Sequence, residues 1–435
     1  MLDLLYFPWR DRSVRLLYEE CKIGIYQLYT CMDKNFTLPL SANTTIGFLG
    51  AGQLARMSAA VVMRLGMRSA VYSGSAEELT CEPGQLPDKA AHFQPLEWMT
   101  PLRFSGRFDD EEALIRFARQ CDVVTLENEF LDGELLLRVR EKSGTPMWPA
   151  PESFLQLESK WLEKETFRKA GIPVTPYGKI TSARDLLSFG EAHGYPFVLK
   201  SSKGGYDGYG NRTIHNHKDI AGAFASLGGD AGHELIAEEF VPFHKELAVQ
   251  VARNHTGTVV YPCCETIQQG HICKTVIAPA PVEHLIAEEA RKLALKAVEA
   301  VDGIGLYAFE FFLTDDRRLY LNESAPRPHN SGHYTIEGCV TSQFENHVRA
   351  VAGLPLGPAG MRAPVAVMEN LLGVRNGPAV AVVPEELWGS NETHLHIYGK
   401  QTSRIGRKMG HLTVLGDELV ETAARAADLA AKIVL

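Results

Sequence analysis

"LYLNESAPRPHNSGHYT", residues 319–335, decides how the rest of the chain is read. It begins as an apolar strand and ends that strand in an amide and a carboxylate, Asn322 and Glu323. An arginine, two histidines, two prolines and a glycine then fall within residues 325–335. Folding alone does not call for so many polar groups just past a strand. Pro326 and Pro328 read as stiffeners that hold Arg327 and His329 in place, and Gly332 as the turn that releases the chain. The run just upstream, "LYAFEFFLT" (306–314), carries Glu310 inside an apolar strand, where a lone carboxylate is costly to bury. Two carboxylates and an amide oxygen on paired strands suit magnesium, a hard ion that prefers oxygen ligands and substrate phosphates. The plainer alternative is a buried acid paired with an arginine.

Further upstream, "KSSKGGYDGYGN" (200–211) ends a strand at Lys200 and then places glycines at 204, 205, 208 and 210. A loop without side-chain obstruction, with backbone amides and a lysine charge, is what a polyphosphate needs. The spacing is not G-x-x-x-x-G-K-[ST], which excludes the P-loop class. A simple glycine hairpin leaves Tyr206 and Asp207 inside the loop unexplained. Glu238, Glu239, Phe240 and Val241 close a later strand, and Glu246 follows on the next. Such an extended segment can pair with an adenine amino group while a carboxylate accepts ribose hydroxyls; a solvated strand end is the alternative.

Near the start, Gly50-Ala51-Gly52 with Ala55 fits G-x-G-x-x-A after a strand. A dinucleotide site needs an acid at the end of the second strand. That strand instead ends Tyr72-Ser73-Gly74-Ser75, so the turn either cradles a simpler phosphate or merely packs. Near the other end, "YGKQTSRIGRKMGH" (398–411) gathers Lys400, Arg404, Arg407, Lys408 and His411. On an acidic protein this is either a phosphate site or a solvated basic face.

Composition narrows the classes. The 435 residues are too many for one ordinary core, and 45% hydrophobic with 22% charged residues describes a soluble globular protein. A formal net charge of −9 argues against nucleic acid or an anionic membrane surface as the main partner. The eight cysteines include no C-x-x-C, so they read as reduced thiols of a cytoplasmic protein. No apolar run approaches the roughly 18 to 20 residues of a membrane helix. Residues 1–31 make a poor signal peptide and read as a non-essential extension or start-site artefact, with Met32 opening the segment that leads into the first strand.

Alternating short strands and helices predict a parallel βαβ domain over 44–147 after an amino-terminal extension, 1–43. The proline-rich "TPMWPAPES" (145–153) marks its end. An α+β segment over 148–355 follows, with "VVYPCCET" (259–266) read as one of its strands, and a small β-rich domain ending in a helix over 356–435.

Read in order, "GAGQLARM", "TLENE", "GIPVTPY", "GGYDGYG", "EEFVPFHKELAV", "NESAPRPHNSGHYT", "SQFENHVRAVAGLPLG" and "HIYGKQTSRIGRKMGH" resemble the ATP-grasp superfamily. Within it they resemble the 5-(carboxyamino)imidazole ribonucleotide synthetase family of purine biosynthesis. The resemblance implies an ATP-grasp fold with an amino-terminal Rossmann-like domain. It implies a ligase that uses ATP, Mg2+ and bicarbonate to carboxylate aminoimidazole ribonucleotide through carboxyphosphate.

By matched position, Lys160 and Lys200 would touch ATP phosphates. Gly205, Tyr206, Asp207, Gly208, Tyr209, Gly210 and Asn211 would form a lid. Glu238, Glu239, Phe240 and Val241 would hold adenine, Glu246 the ribose, with Gln268 nearby. Glu310 and Glu323, beside Asn322, would bind magnesium. Glu127, Glu129, Tyr206, Asp207, Lys400 and Arg407 would meet the ribonucleotide, with Arg327, His329 and Asp207 as catalytic groups. A cytoplasmic homodimer is also implied, handing its product to a carboxyaminoimidazole ribonucleotide mutase.

Tyr209 stands where the family has a basic lid residue, Gln268 where it has histidine, and Ala51 and Ala55 where it has glycines. Two alternatives stand beside this reading: another ATP-grasp ligase, such as the formate-dependent glycinamide ribonucleotide transformylase, and a non-catalytic nucleotide-binding relative.

Overall fold

The computed structural model of the chain describes residues 36–74, 99–100, 102–204 and 210–435. The described part opens with a parallel sheet of β1 (Thr45–Leu49), β2 (Arg68–Ser73), β3 (Leu102–Ser105), β4 (Val123–Leu126) and β5 (Met147–Trp148), in the order β3-β2-β1-β4-β5. Every residue of β1 is buried, as expected of a strand flanked on both edges in a parallel sheet. The connecting helices are α1 (Gln53–Arg64), α2 (Glu111–Ala118) and α3 (Gly133–Ser143). The last two start where Asp110 and Asp132 accept the N–H groups of Ala113 and Leu135.

Two short helices, α4 (Pro151–Leu155) and α5 (Lys160–Lys169), lead into a four-stranded antiparallel sheet. Its strands β6 (Tyr177–Ile180), β7 (Phe197–Ser201), β8 (Asn211–Ile214) and β9 (Leu235–Glu239) lie in the order β6-β9-β7-β8. Helices α6 (Ala183–His193) and α7 (Ile220–Ser226) supply Leu186, Phe189, Ile220 and Phe224 to its core.

The rest is organised on one large sheet. Strands β10 (Phe243–Asn254), β11 (Gly257–Val260), β12 (Cys264–Gln269), β13 (Ile272–Ala278), β14 (Gly305–Thr314) and β15 (Leu319–Ala325) form one half. Helix α8 (His284–Ala300) covers it, burying Ala290, Ala294 and Val298 against Val249, Phe309 and Phe311. The run 259–266 is not one strand: it breaks at Tyr261–Cys263 around Pro262, which has no N–H to give a ladder. Beyond helices α9 (Thr335–Gly338) and α10 (Gln343–Val351) come β16 (Val365–Leu372), β17 (Gly377–Pro378), β18 (Thr393–Ile397), β19 (Thr402–Ser403) and β20 (Lys408–Gly416).

Strands β16, β20 and β18 continue the large sheet through the β13–β16 pairing, in the order β15-β14-β10-β12-β13-β16-β20-β18. The carboxy-terminal strands therefore share a continuous backbone ladder with the strands carrying Glu310 and Glu323. The closing helix α11 (Leu419–Lys432) packs Ala426, Leu429 and Ala430 onto them.

Residues 319–335 lie at the end of this sheet. β15 runs to Ala325, and a single 3-10 turn, Asn330–Gly332, follows. Gly332 does not adopt a left-handed conformation; its missing side chain serves a close approach. A Cβ there would run into Oε1 of Gln343 and come within 2.6 Å of its Cδ. That side-chain amide makes a two-point bond to the His329 backbone: His329 N–H donates to Oε1 (3.0 Å) and Nε2 donates to the His329 carbonyl (2.7 Å). Gly332→Ala is therefore expected to lose about 1–3 kcal/mol of stability by overpacking. Denaturant titration would show a lower midpoint at unchanged slope, and an unshifted midpoint would refute the assignment.

Candidate active site

Charged side chains from β14, β15 and α5 meet at the start of residues 319–335. Glu310 on β14 faces Glu323 on β15 directly in the antiparallel register. The next paired positions are Phe311 and Leu321, so Asn322 is an extra bulge residue, and Asn322 and Glu323 together oppose Glu310. Two like charges at one register position repel, so the site has to supply cations.

Lys160, the first residue of α5, reaches Glu323 Oε2 at 3.4 Å. Ser159 starts that helix by accepting the Leu162 N–H, and the Lys160 N–H donates to the Ser202 carbonyl (2.9 Å), which fixes the lysine beside β7. Burial works against the Lys160 charge, but Glu323, Glu163 and Glu238 more than offset it, and its pKa is raised. Partial burial would raise the half-exposed Glu323 carboxyl, but the charge of Lys160 above all holds it below the usual range.

One turn along the same helix, Glu163 is buried and accepts from the N–H (2.5 Å) and hydroxyl (2.6 Å) of Ser324. Burial pushes its carboxyl up to about 7 against the pull of Lys160.

The second layer of charge is fully interior. Glu238 Oε2 receives Lys200 Nζ at 3.0 Å and Lys164 Nζ at 3.1 Å, and accepts from Thr175 Oγ1 at 3.2 Å. Burial would raise this carboxyl; Lys164 and Lys200 reverse the effect and hold it at about 2. Lys200 itself is lowered by burial, with Glu238 opposing. The Glu238 side chain is thus committed to the lysines, and its backbone is what this strand can offer to a base.

Glu246 is raised by burial and receives Gln268 Nε2 at 3.1 Å, so Gln268 orients a carboxylate. A cavity of about 530 Å3 opens beside Glu239, Phe240 and Val241, bounded by Thr314 and Tyr320.

The loop after β15 carries the remaining groups. Arg327 clamps Glu129 with Nε and Nη2, the second contact at 2.7 Å. His329 Nδ1 lies 2.8 Å from Ser331 Oγ, which in turn receives Gln250 Nε2 at 2.9 Å. The Ser331 N–H also points at Nδ1 (3.4 Å), so this nitrogen reads as the acceptor, leaving the proton on Nε2. Glu310 Oε1 lies 3.5 Å from Nδ1. Burial and the Arg327 charge lower His329 to about 4, so it is neutral near pH 7.

Glu127, at the end of β4, resolves the choice left open at the first glycine turn. Its carboxylate accepts the N–H groups of Gly52 and Leu54. Gly50 has φ +112°, and a Cβ on it would approach Glu127 Oε2 to 2.6 Å. The turn is therefore packed around a protein carboxylate.

On the carboxy-terminal hairpin, Lys400 Nζ donates to the Lys408 carbonyl (2.7 Å), and Arg407 Nη1 donates to Thr402 O and Oγ1 (2.9 and 3.1 Å). The charge of Lys408, on the same hairpin, acts on His329.

Gly205, Tyr206, Asp207, Gly208 and Tyr209 lie outside the described residues. Gly210 and Asn211 are described: the Ser201 N–H donates to Gly210 O (2.8 Å), and Asn211 pairs with Lys200. Sequence reading did not find Glu163, Lys164, Gln250, Ser331 or Gln343. Lys164 was the most accessible of them, lying one helical turn after Lys160 on the same face.

Among the described residues no group of three or more His, Cys, Asp or Glu could hold a metal by itself. Two opposed carboxylates with a bulged amide still fit a magnesium ion that takes its remaining ligands from substrate phosphates and water. Glu310 and Glu323, with Asn322, would hold it.

Burial pushes Glu127 up to about 7 despite Arg327. A carboxyl raised on folding contributes stability that is complete below its unfolded value of about 4.3 and lost as pH rises through the folded one. Thermal scans between those values should show the wild type losing stability relative to Glu127→Gln as pH rises. A constant difference across that window would contradict the burial of this group.

Comparison with known proteins accords with this geometry. Residues 43–157 match the ribonucleotide synthetase preATP-grasp domain, 165–344 the ATP-grasp domain, and 366–425 the phosphoribosylaminoimidazole carboxylase C-terminal domain. The N5-carboxyaminoimidazole ribonucleotide synthase of Staphylococcus aureus (strain MRSA252) is 34% identical over 384 residues, which are 88% of this chain and 96% of that protein. The phosphoribosylaminoimidazole carboxylase of Ogataea methanolica is 36% identical over 388 residues, and the match spans 68% of its length. The crystal structure of N5-carboxyaminoimidazole synthase from Aspergillus clavatus in complex with ADP and 5-aminoimidazole ribonucleotide superposes with a TM-score of 0.77 at 33% identity, covering 90% of this chain and 99% of that one. Three matched domains in the same order, together with a near full-length relative at this identity, make the chain a member of the N5-carboxyaminoimidazole ribonucleotide synthase family, ATP-dependent ligases of the ATP-grasp superfamily.

Proposed function

We propose that this chain carboxylates the exocyclic amine of 5-aminoimidazole ribonucleotide with bicarbonate at the expense of ATP, by way of carboxyphosphate. The observation that carries the reading is the Glu310–Glu323 pair, set between the Lys160–Lys200–Glu238 network and the Arg327–His329 loop. Phosphate-binding cations thus stand on one side of two oxygen ligands, and anion-binding groups on the other.

In this reading Lys160 and Lys200 hold the ATP phosphates, and Glu238 keeps Lys200 charged against the cost of burial. The segment 239–241 receives adenine, and Glu246, oriented by Gln268, receives the ribose. Glu310 and Glu323 would hold a magnesium ion, which when bound would neutralise phosphate charge. A bicarbonate oxygen attacks the γ-phosphorus, the bond to the β-phosphate oxygen breaks, and ADP leaves. Arg327, held rigid by Glu129, faces the charge that develops on the resulting carboxyphosphate. His329 is neutral and presents Nε2–H as a donor to the same anion. The amine nitrogen then attacks the carboxyl carbon, the carbon–oxygen bond to phosphorus breaks, and phosphate leaves with the amine proton.

Glu127, Lys400 and Arg407 hold the ribonucleotide with Tyr206 and Asp207 of the lid, whose closure excludes water from a mixed anhydride. The same reading includes a cytoplasmic homodimer whose product goes to a carboxyaminoimidazole ribonucleotide mutase. Among the described residues no helix is long and apolar enough to cross a membrane.

ADP release with bicarbonate, measured with and without aminoimidazole ribonucleotide, tests the proposal; absence of ribonucleotide stimulation would refute it. Formate-dependent turnover of glycinamide ribonucleotide would point to the transformylase instead. Arg407→Ala should raise the ribonucleotide KM about 10-fold or more, as loss of a charged contact does, with the ATP KM unchanged. Glu323→Ala should abolish ATP turnover. Equal effects of both changes on both substrates would mean the two sites are misassigned.

A further inference from the structure

Behind the Arg327–His329 loop lies a column of polar rings to which the reaction assigns no part. His333 and His411 are fully buried, with ring centroids 5.0 Å apart. His396 stacks on His411 at 4.4 Å and 13°, as its cross-strand partner between β18 and β20. Its Nε2 meets Glu337 Oε1 of α9 at 2.8 Å. The Tyr398 hydroxyl lies 3.0 Å from His411 Nδ1.

The proton positions follow from what each partner can do. His333 Nδ1 lies 3.0 Å from the His329 carbonyl oxygen, which can only accept, and 3.2 Å from Gln343 Nε2, which already donates to that same oxygen, so Nδ1 carries the proton as a second donor to it. In a neutral ring Nε2 is then a bare acceptor, and it has no partner within the described protein. Burial keeps the ring neutral, and the Lys408 charge acts in the same direction. Among the described residues, the Tyr398 hydroxyl is the partner of His411 Nδ1. With that hydroxyl as donor, the ring proton sits on Nε2, which is also buried and has no partner among the described residues. The two orphan nitrogens are therefore complementary, one acceptor and one donor, on adjacent rings. Buried polar atoms of this kind are met by ordered water.

We propose that His333 is a positioning residue for the reactive loop, held in its Nδ1–H form and joined through one water to His411. The chain Tyr398 to His411 to water to His333 to the His329 carbonyl then ties the hairpin that carries Lys400 and Arg407 to the loop that carries Arg327 and His329. Gln343 bonds the same carbonyl, so the backbone at His329 is fixed from two sides. The proposal rests on the function given above for its kinetic part only.

The test joins a spectroscopic and a kinetic arm. Nitrogen-15 histidine NMR of the full chain should show His333 as a neutral Nδ1–H ring and His411 as a neutral Nε2–H ring, neither titrating between about pH 6 and 8.5. The His333 signal is assigned by its loss in His333→Asn. An Nε2–H form of His333 would overturn the proposal.

His333→Asn keeps a donor at the Nδ1 position and should hold kcat within about threefold. His333→Leu removes the donor and should lower kcat roughly 30-fold through misplacement of the loop, with the KM for ATP and for ribonucleotide little changed. Equal loss in the two variants would overturn the positioning role. Should His333→Leu not fold, Tyr398→Phe removes only the far hydroxyl and should lower kcat about threefold to tenfold; unchanged kcat would overturn the link to the hairpin. The NMR arm needs no turnover, so a wild type inactive with ribonucleotide would refute the proposed function and leave the ring assignments to stand or fall separately.

Discussion

Opposed carboxylates at one register position, Glu310 and Glu323, are the constraint on which the rest of the site depends. Antiparallel strands place directly paired side chains about 4.5–5.5 Å apart at Cβ, so two like charges there repel unless cations compensate them. Lys160 pairs with Glu323, and His329 lies against Glu310. Behind Lys160, Glu238 joins Lys164 to Lys200. The lysines of the small sheet and helix α5 are what a carboxylate pair in that place requires. An incoming polyphosphate would meet cations already positioned by the protein's own acids, and little reorganisation would be needed on binding.

One continuous sheet holds both groups of charged side chains. Pairing of β13 with β16 carries the ladder from Glu310 to the hairpin of Lys400 and Arg407. Asn330 and Asn370 exchange a reciprocal pair of amide hydrogen bonds, at 2.9 and 2.6 Å, between the reactive loop and β16. Loop and hairpin are thus fixed to one rigid frame through backbone ladders and buried amides, interactions that tolerate little displacement.

Local pattern made much of this legible. An apolar strand interrupted by Glu310, and Asn322–Glu323 at the end of its neighbour, are visible because strand periodicity places them. The glycines after Lys200 are visible because few other residues suit such a loop. What was not legible depends on contacts between distant segments. Gln343 reads as an ordinary polar residue near a helix start until the fold brings its amide against His329. Gly332 reads as a turn residue until that approach is seen. His333 and His411 lie 78 positions apart, and no spacing announces that two such rings meet. The single strand expected over 259–266 failed for a local reason, since apolar periodicity was read through a proline that cannot donate.

Oxygen transfer from bicarbonate to phosphate tests the central claim most directly. With bicarbonate labelled uniformly with oxygen-18, ATP and aminoimidazole ribonucleotide, the account predicts one labelled oxygen in each phosphate released. That is the atom that first attacked the γ-phosphorus and then left with it. Ribonucleotide-dependent turnover that releases phosphate free of the label would contradict a carboxyphosphate route, and with it the role given to Arg327 and His329.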